Sequence, residues 1–327
     1  MSGRPADGTR HAEPGHDRVA IIGAGHVGAT TAYALMLRAL FREIVLIDSD
    51  TKRAHAEAQD IADANALARP ARIWAGDYAD AAAASIAVIT AGAATHGSET
   101  RLSVAARSAL IVGECVTELS AAGFNGIILV ASNPVDLMAM IAFDCAGLPA
   151  GRIIGTGTLL DSSRLRTLLA RELDVAPGSV DALVLGEHGD SEVALMSTIR
   201  VGGLPLADFS DAGGELDQRE LAQIVRDAGY AIVSGKGYTS YGVATAIVRI
   251  CEAIMREERV ILPVSARVDG VLRLSGVHMS MPCILGAAGV ERMLIPSMSA
   301  EEAAALEASG ATLRAAYDNL RRDQPNE

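Results

Sequence analysis

The stretch VAIIGAGHVGATTAYAL, residues 19–35, decides the fold. Four apolar residues suit a strand buried on both faces, a turn holding Gly23, Gly25 and Gly28 follows, and a helical stretch then runs through Arg38. In a strand–turn–helix unit each glycine has its own use. Gly23 permits the tight turn, Gly25 lets a pyrophosphate approach the backbone, and Gly28 allows close helix–strand packing, with the helix N-terminus facing the phosphates. Twenty residues after Gly28, the next strand EIVLID (43–48) ends in Asp48. That carboxylate can accept both ribose hydroxyls and would repel a 2′-phosphate, so the spacing predicts NAD rather than NADP. Arg53, close by, is the one feature that favours tolerance of the phosphorylated cofactor.

The same rhythm continues outward. IAVITAG (86–92) and GIILVASN (126–133) read as buried strands, and helix-like stretches 103–121 and 135–145 follow them. Short apolar strands separated by helices predict a parallel sheet covered on both faces. The fold class is therefore α/β, with a Rossmann doubly wound parallel sheet over 18–156 as the NAD-binding domain. Past residue 157 the texture changes. Longer helical stretches (158–173, 216–235, 241–257, 299–321) bracket shorter extended ones (180–185, 259–266). This predicts an α+β substrate domain over 157–327. No Pro/Ser-rich linker divides the two, so they are expected to share an interface, and a cleft there is a natural ligand site. Residues 1–17, polar and rich in Gly and Pro, read as a mobile tail.

With 327 residues, half of them hydrophobic, and a mean hydropathy of +0.26, the chain can bury a large core. A net charge of −12 argues against nucleic acid and anionic membranes as partners. An acidic protein that binds an acidic small molecule must concentrate its arginines locally. Cys115, Cys145, Cys251 and Cys283 are scattered without metal-ligand spacing, so no metal is expected, and buried reduced thiols in a cytoplasmic protein are. Residues 1–17 lack the apolar core of a signal peptide, and the longest small-residue run, 81–94, is too short to span a bilayer.

A dinucleotide fold does not specify the chemistry. None of the six tyrosines has a lysine four residues on, which removes the short-chain dehydrogenase pattern. Hydride transfer to a carbonyl leaves an alkoxide that needs a proton, and a histidine held by a carboxylate can supply it. LVLGEHGDSE (183–192) offers His188, although a polar turn after a strand explains the same residues. GTGTLLDSSRLR (155–166) offers Asp161 and Arg164, three apart on one helix face. They read either as an intrahelical salt bridge or as a division of labour, Asp161 orienting His188 and Arg164 clamping a carboxylate with its two-pronged fork. Arg101, in AGAATHGSETRLS (91–103), reads as an exposed loop cation or as one that polarises the carbonyl from a closing lid.

GAGHVG, LID, ITAGA…ETRL, SNPVD, GTGTLLDSSRLR, GEHGDSE and KGYTSYG occur in the order found in the L-lactate/malate dehydrogenase family, which the chain resembles from about residue 18 to 320. The likeness is greatest to the bacterial lactate dehydrogenase branch. The resemblance implies an NAD-dependent L-2-hydroxy-acid dehydrogenase with His188 as proton donor and acceptor, Asp161 its partner, Arg164 the carboxylate clamp and Arg101 the lid arginine. It further implies that Asn133 contacts both substrate and nicotinamide, that Thr239 lines the pocket, and that Val27, Asp48, Arg53, Tyr78, Gly92 and Ala93 contact the cofactor. A homotetramer is implied, with a dimer as the alternative. A bulkier L-2-hydroxy acid, or malate, is the alternative substrate, and a catalytically silent NAD-binding sensor is the rival from another class.

The chain departs from the family pattern at three places. Thr95 stands where lactate dehydrogenases carry Gln and malate dehydrogenases Arg; a threonine cannot neutralise a second carboxylate, which disfavours oxaloacetate. Gly229 stands where Ala is usual. With Thr95 and Thr239 it predicts a pocket wall of reduced bulk that admits longer or branched 2-oxo acids. Arg166 matches the arginine of the family's fructose 1,6-bisphosphate site, but Asp181 occupies the histidine's position and would repel a bisphosphate; activation by this sugar is expected to be absent.

Overall fold

The computed structural model describes residues 17–68, 70–93, 101–209 and 218–323. Six parallel strands form its centre: β1 (Arg18–Ile22), β2 (Glu43–Ile47), β3 (Arg72–Ala75), β4 (Ile86–Ile89), β5 (Ile127–Val130) and β6 (Ile153–Gly155). Their spatial order is β3-β2-β1-β4-β5-β6. The chain runs to one edge, returns to the middle and builds the other half, so the C-terminal ends of β1 and β4 diverge at a switch point that is a ready cofactor crevice. β4 and β5 are buried along their whole length, and so are β1 and β2 past their first residue. That burial explains why they are continuous Val/Ile/Leu runs rather than alternating ones.

The covering helices are α1 (His26–Arg38), α2 (Thr51–Asn65), the single turn α3 (Tyr78–Ala81), α4 (Arg101–Ala121) and α5 (Val135–Ala146). The nonpolar faces of the longer ones close over the sheet with Leu35, Met36, Val112, Val116, Leu119 and Met138. β3 is the most exposed of the six strands. Its Trp74 lies between the guanidinium groups of Arg18 and Arg72, 5.1 and 4.4 Å from the ring centre, which covers that edge.

The C-terminal half contains α6 (Leu159–Glu172), two small sheets made of β7 (Val180–Asp181), β8 (Val184–Leu185), β9 (Val193–Ala194), β10 (Arg200–Val201) and β11 (Leu204–Pro205), then α7 (Gln218–Lys236) and α8 (Tyr241–Met255). The long strands β12 (Val260–Val271) and β13 (Leu274–Gly286), with β14 (Gly289–Met293), precede the closing helix α9 (Ala300–Asp323). These three strands do not form a separate sheet. They extend the parallel one antiparallel beyond β6, making nine strands in all. The junction is the pair Ser265↔Gly155, where a Cβ on residue 155 would stand 2.7 Å from that of Ser265. Sequence expectation had one extended stretch, 259–266, where the structure has a hairpin of two strands. Cys115, Cys251 and Cys283 are buried and unpaired as anticipated, whereas Cys145 is exposed. No described helix is long and apolar enough to cross a membrane.

Candidate active site

The glycine turn after β1 has the shape its sequence suggests. Gly23 has φ +102°, and a Cβ there would lie 2.5 Å from the Ala91 amide nitrogen, so only glycine fits. A Cβ on Gly28 would collide with the Gly23 carbonyl, whereas one on Gly25 would meet nothing within 4 Å. The first and third glycines are thus packing requirements, and the second opens onto free space at the N-terminus of α1. Asp48 directly follows β2, beside this turn. Its Oδ2 accepts the Ala24 amide at 2.7 Å and its Oδ1 the Asp50 amide at 2.8 Å, which orients the carboxylate and leaves lone pairs for hydroxyl donors. Arg53 lies one turn into α2, paired with Asp50 at 3.6 Å. Ala93 donates its amide to Ser108 at 3.1 Å just beyond Gly92, and Val27 packs partly buried against the core. These features fit a diphosphate on the turn and a ribose at Asp48. Tyr78, partly buried, pairs its hydroxyl with the Cys115 thiol, and burial drives its pKa up.

On the substrate side, three side chains converge. His188 Nδ1 lies 2.7 Å from Asp161 Oδ2, and Arg164 Nη1 donates to Asp161 Oδ1 at 2.8 Å. Asp161 and Arg164 thus form the i,i+3 ion pair, and Asp161 also holds the histidine. Asp161 is buried, and Thr158, also buried, sits just ahead of α6 with its amide donated to Ser280 on β13 at 2.9 Å. The His188 side chain keeps 30% of its surface exposed. With Nδ1 engaged by Asp161, Nε2 is the nitrogen left to exchange a proton with a ligand.

The loop bearing His188 is tied down from three sides. Gly186 exchanges two backbone hydrogen bonds with Ser280, at 3.0 and 2.8 Å. Ser309 on α9 accepts the Glu187 amide at 2.9 Å. Asp136, buried in the first turn of α5, accepts the His188 amide at 2.7 Å. A residue of the cofactor half thus sets the backbone of the histidine.

The carboxylates around the ring have divided protonation states. Burial opposes charge on His188, but the hydrogen bond and charge of Asp161 outweigh it, Asp136 and Glu192 add to them, and the ring is pushed up to about 9. Burial would likewise raise Asp161, yet His188 and Arg164 hold it below the usual carboxylate range. Burial pushes Asp136 up to about 6, opposed by the Ser265 hydroxyl and the His188 amide. Glu192, 6% exposed, is pushed up to about 8 by burial and by the Asp161 charge, and is uncharged at neutral pH. One donor atom each from Asp161, His188 and Glu192 lies within 4.8 Å of the others. Both Asp161 oxygens already serve His188 and Arg164. His188 and Arg164 bring two cationic groups to one face of Asp161, which suits an anionic ligand in an otherwise acidic protein.

Glu192 and Asp136 were not singled out by sequence reasoning, although both lie inside motifs that were, GEHGDSE and SNPVD. A carboxylate beside a histidine motif carries no mark of burial, and burial is what makes both matter.

Asn133 is exposed at the end of β5, joined by a cis peptide bond to Pro134. Gly229 lies in α7, and a Cβ there would meet nothing within 4 Å. The next residue, Tyr230, reaches Asp190 of the histidine loop at 3.4 Å. Thr239 lies in the α7–α8 turn, and Gly242 just after it packs on Leu160, the neighbour of Asp161. Arg101 is the first residue of α4; its side chain, like the whole of Thr95, falls outside the described residues. Arg166 Nε donates to the Ala182 carbonyl at 3.1 Å, next to exposed Asp181.

A doubly wound dinucleotide sheet opening onto a histidine–carboxylate–arginine cluster defines an NAD-dependent 2-hydroxy-acid dehydrogenase. The family models agree: residues 17–155 match the NAD-binding domain of lactate/malate dehydrogenases and residues 158–322 their alpha/beta C-terminal domain. The chain belongs to the lactate/malate dehydrogenase family. It is 42% identical to the L-lactate dehydrogenase of Thermus aquaticus, covering 93% of this chain and 99% of that one, and 40% identical to that of Priestia megaterium, covering 92% and 96%. Among solved structures, MGS-M5, a lactate dehydrogenase from a Medee basin deep-sea metagenome library, superposes with a TM-score of 0.90 at 38% identity, covering 94% of this chain and 99% of that one.

Proposed function

We propose that the protein is an NAD-dependent L-lactate dehydrogenase that interconverts pyruvate and L-lactate, and that its pocket also admits larger 2-oxo acids. The observation that carries the reading is the His188–Asp161–Arg164 cluster, tied through Asp136 to the half that holds the dinucleotide turn. Bound NAD would supply the hydride acceptor, and NADH the donor. Gly23, Gly25, Gly28, Val27, Asp48, Arg53, Tyr78, Gly92, Ala93 and Asn133 would hold the cofactor. Arg164 would clamp the substrate carboxylate, and Arg101, Asn133, Thr95, Gly229 and Thr239 would complete the pocket. His188, charged at neutral pH, would deliver its Nε2 proton to the nascent alkoxide oxygen. Asp161 would hold the ring orientation and stabilise the charged form.

The free space at Gly229 favours the wider substrate range. NADH oxidation at 340 nm with pyruvate, 2-oxobutyrate, 2-oxoisocaproate and phenylpyruvate tests it. Turnover of the larger acids, narrowed towards pyruvate by Gly229→Ala, is the expected result. A strong pyruvate preference in the unaltered protein would refute the wide pocket while leaving the lactate dehydrogenase reading intact. We further propose a cytoplasmic homotetramer. Free cysteines suit a reducing compartment, and exposed Tyr33, Leu37, Ile232, Val233 and Tyr241 suit burial against further copies. Sedimentation as a monomer would overturn the assembly.

A further inference from the structure

Four side chains that the reaction does not use form a continuous ladder above the cofactor turn. His26, in the glycine turn itself, stacks on Tyr238 with ring centres 3.9 Å apart and planes 10° from parallel. Behind Tyr238 the Lys236 ammonium lies 4.4 Å from that ring centre and 4.3 Å from the ring centre of Tyr241. The ladder therefore reads imidazole, phenol, ammonium, phenol. Its two ends belong to different halves of the molecule. His26 is the first residue of α1, directly after Gly25, whereas Lys236 ends α7 and Tyr241 begins α8.

The backbone aims these groups at one another. Gly237, at φ +86°, closes α7 by donating its amide to the Val233 carbonyl at 2.8 Å and turns the chain so that Tyr238 leaves the helix axis. α1 packs along α8, which brings the start of one beside the start of the other. Thr239, expected in the substrate wall, is the next residue after Tyr238.

We propose that the His26–Tyr238 stack is a positioning device that locks the glycine turn against the Thr239 segment, so that cofactor affinity depends on a contact made by the substrate half. The inference rests on the reading that the glycine turn cradles the cofactor. A parallel stack of this kind removes wobble between two segments that the α1–α8 packing brings together, and a turn already held in its bound shape binds with less ordering cost. The Lys236 ammonium adds a second contact to the Tyr238 ring and links it to Tyr241. His26 and Tyr238 are both solvent-accessible, so truncating either leaves no cavity in the core.

The test is NADH titration by fluorescence on the full chain, alongside hydrogen exchange at the Gly23–Gly28 amides of the cofactor-free protein. His26→Ala and Tyr238→Ala should each weaken NADH binding by about threefold to tenfold, the range expected for an aromatic pair. The double variant should be no weaker than either single one, Tyr238→Phe should bind like the unaltered protein, and exchange at the turn should quicken in both alanine variants. Additive losses, or unchanged affinity and exchange in Tyr238→Ala, would overturn the proposal. Failure of the unaltered protein to bind NADH would instead defeat the cofactor reading, and the exchange comparison would still decide whether the stack holds the turn.

Discussion

His188 keeps its proton through neutral pH because Asp161 stands 2.7 Å from Nδ1 and is itself secured by Arg164. With the ring pushed up to about 9, the charged form prevails below that pH. Reduction of a 2-oxo acid takes a proton from the ring, so its kcat/KM should stay level through neutrality and fall as pH rises through about 9. Oxidation of the hydroxy acid needs the neutral ring and should rise over the same interval. Steady-state rates in both directions check this, and a limb near the ordinary histidine value of about 6.5 would mean that Asp161 does not hold the proton. Replacing the ring tests the assignment itself. His188→Asn should lower kcat by roughly 10²- to 10⁴-fold while NADH still binds. A catalytically silent sensor would be indifferent to the change.

Among the elements, the β12–β13 hairpin is the longest that sequence reading did not foresee, and the reason lies in two residues. Its turn is Leu272–Arg273, with φ of +52° and +54°, and Val271 pairs with Leu274 across it. Two-residue turns with both φ positive ordinarily advertise themselves as Asn-Gly or Asp-Gly. Here two side chains with no such preference are forced into the left-handed region by the long ladder on either side. That strain is removable. Arg273→Gly should stabilise the protein by about 1 kcal/mol, since the Arg273–Glu307 contact it loses is a 4.0 Å pair with the arginine 90% exposed, which contributes little. A rise in melting temperature checks it, and a fall would show that the exposed ion pair outweighs the backbone strain. Strands β1, β2, β4 and β5 of the dinucleotide half, by contrast, were legible because each is a short apolar run bounded by a glycine turn or a polar helix start; β3, with its exposed arginine, and the three-residue β6 carry no such run.

At the scale of the whole molecule, the nine-stranded sheet buries a histidine that takes no part in the reaction. His278 on β13 is fully buried, and neither ring nitrogen has a hydrogen-bond partner. Its neighbours are Phe143 of α5, 5.7 Å away between ring centres, and, across the ladder on β12, Arg267, with Asp269 two residues further along. Burial drives the ring down to about 3, and the Arg267 charge adds to the effect. An unfolded histidine titrates near 6.5. Between those values the unfolded chain takes up a proton that the folded one refuses, so stability is lost as pH falls below about 6.5. His278→Leu should therefore show a smaller drop in melting temperature between neutral and mildly acidic buffer than the unaltered protein. An equal drop would assign the acid sensitivity elsewhere.

Sequence alone pointed to the dinucleotide fold, to the NAD preference expected of Asp48 and to the Asp161–Arg164 pair, because each rests on local spacing: a glycine turn after a strand, an acid at the end of the next, an arginine one helical turn from an aspartate. Tertiary structure alone decided everything that depends on burial and on contacts between distant segments. It joined the C-terminal hairpin to the N-terminal sheet, carried Asp136 under the His188 backbone, made Glu192 a neutral acid and stacked His26 on Tyr238. A residue's charge state and its partners are set by what surrounds it in space, and for these residues the surroundings come from segments scores of positions away.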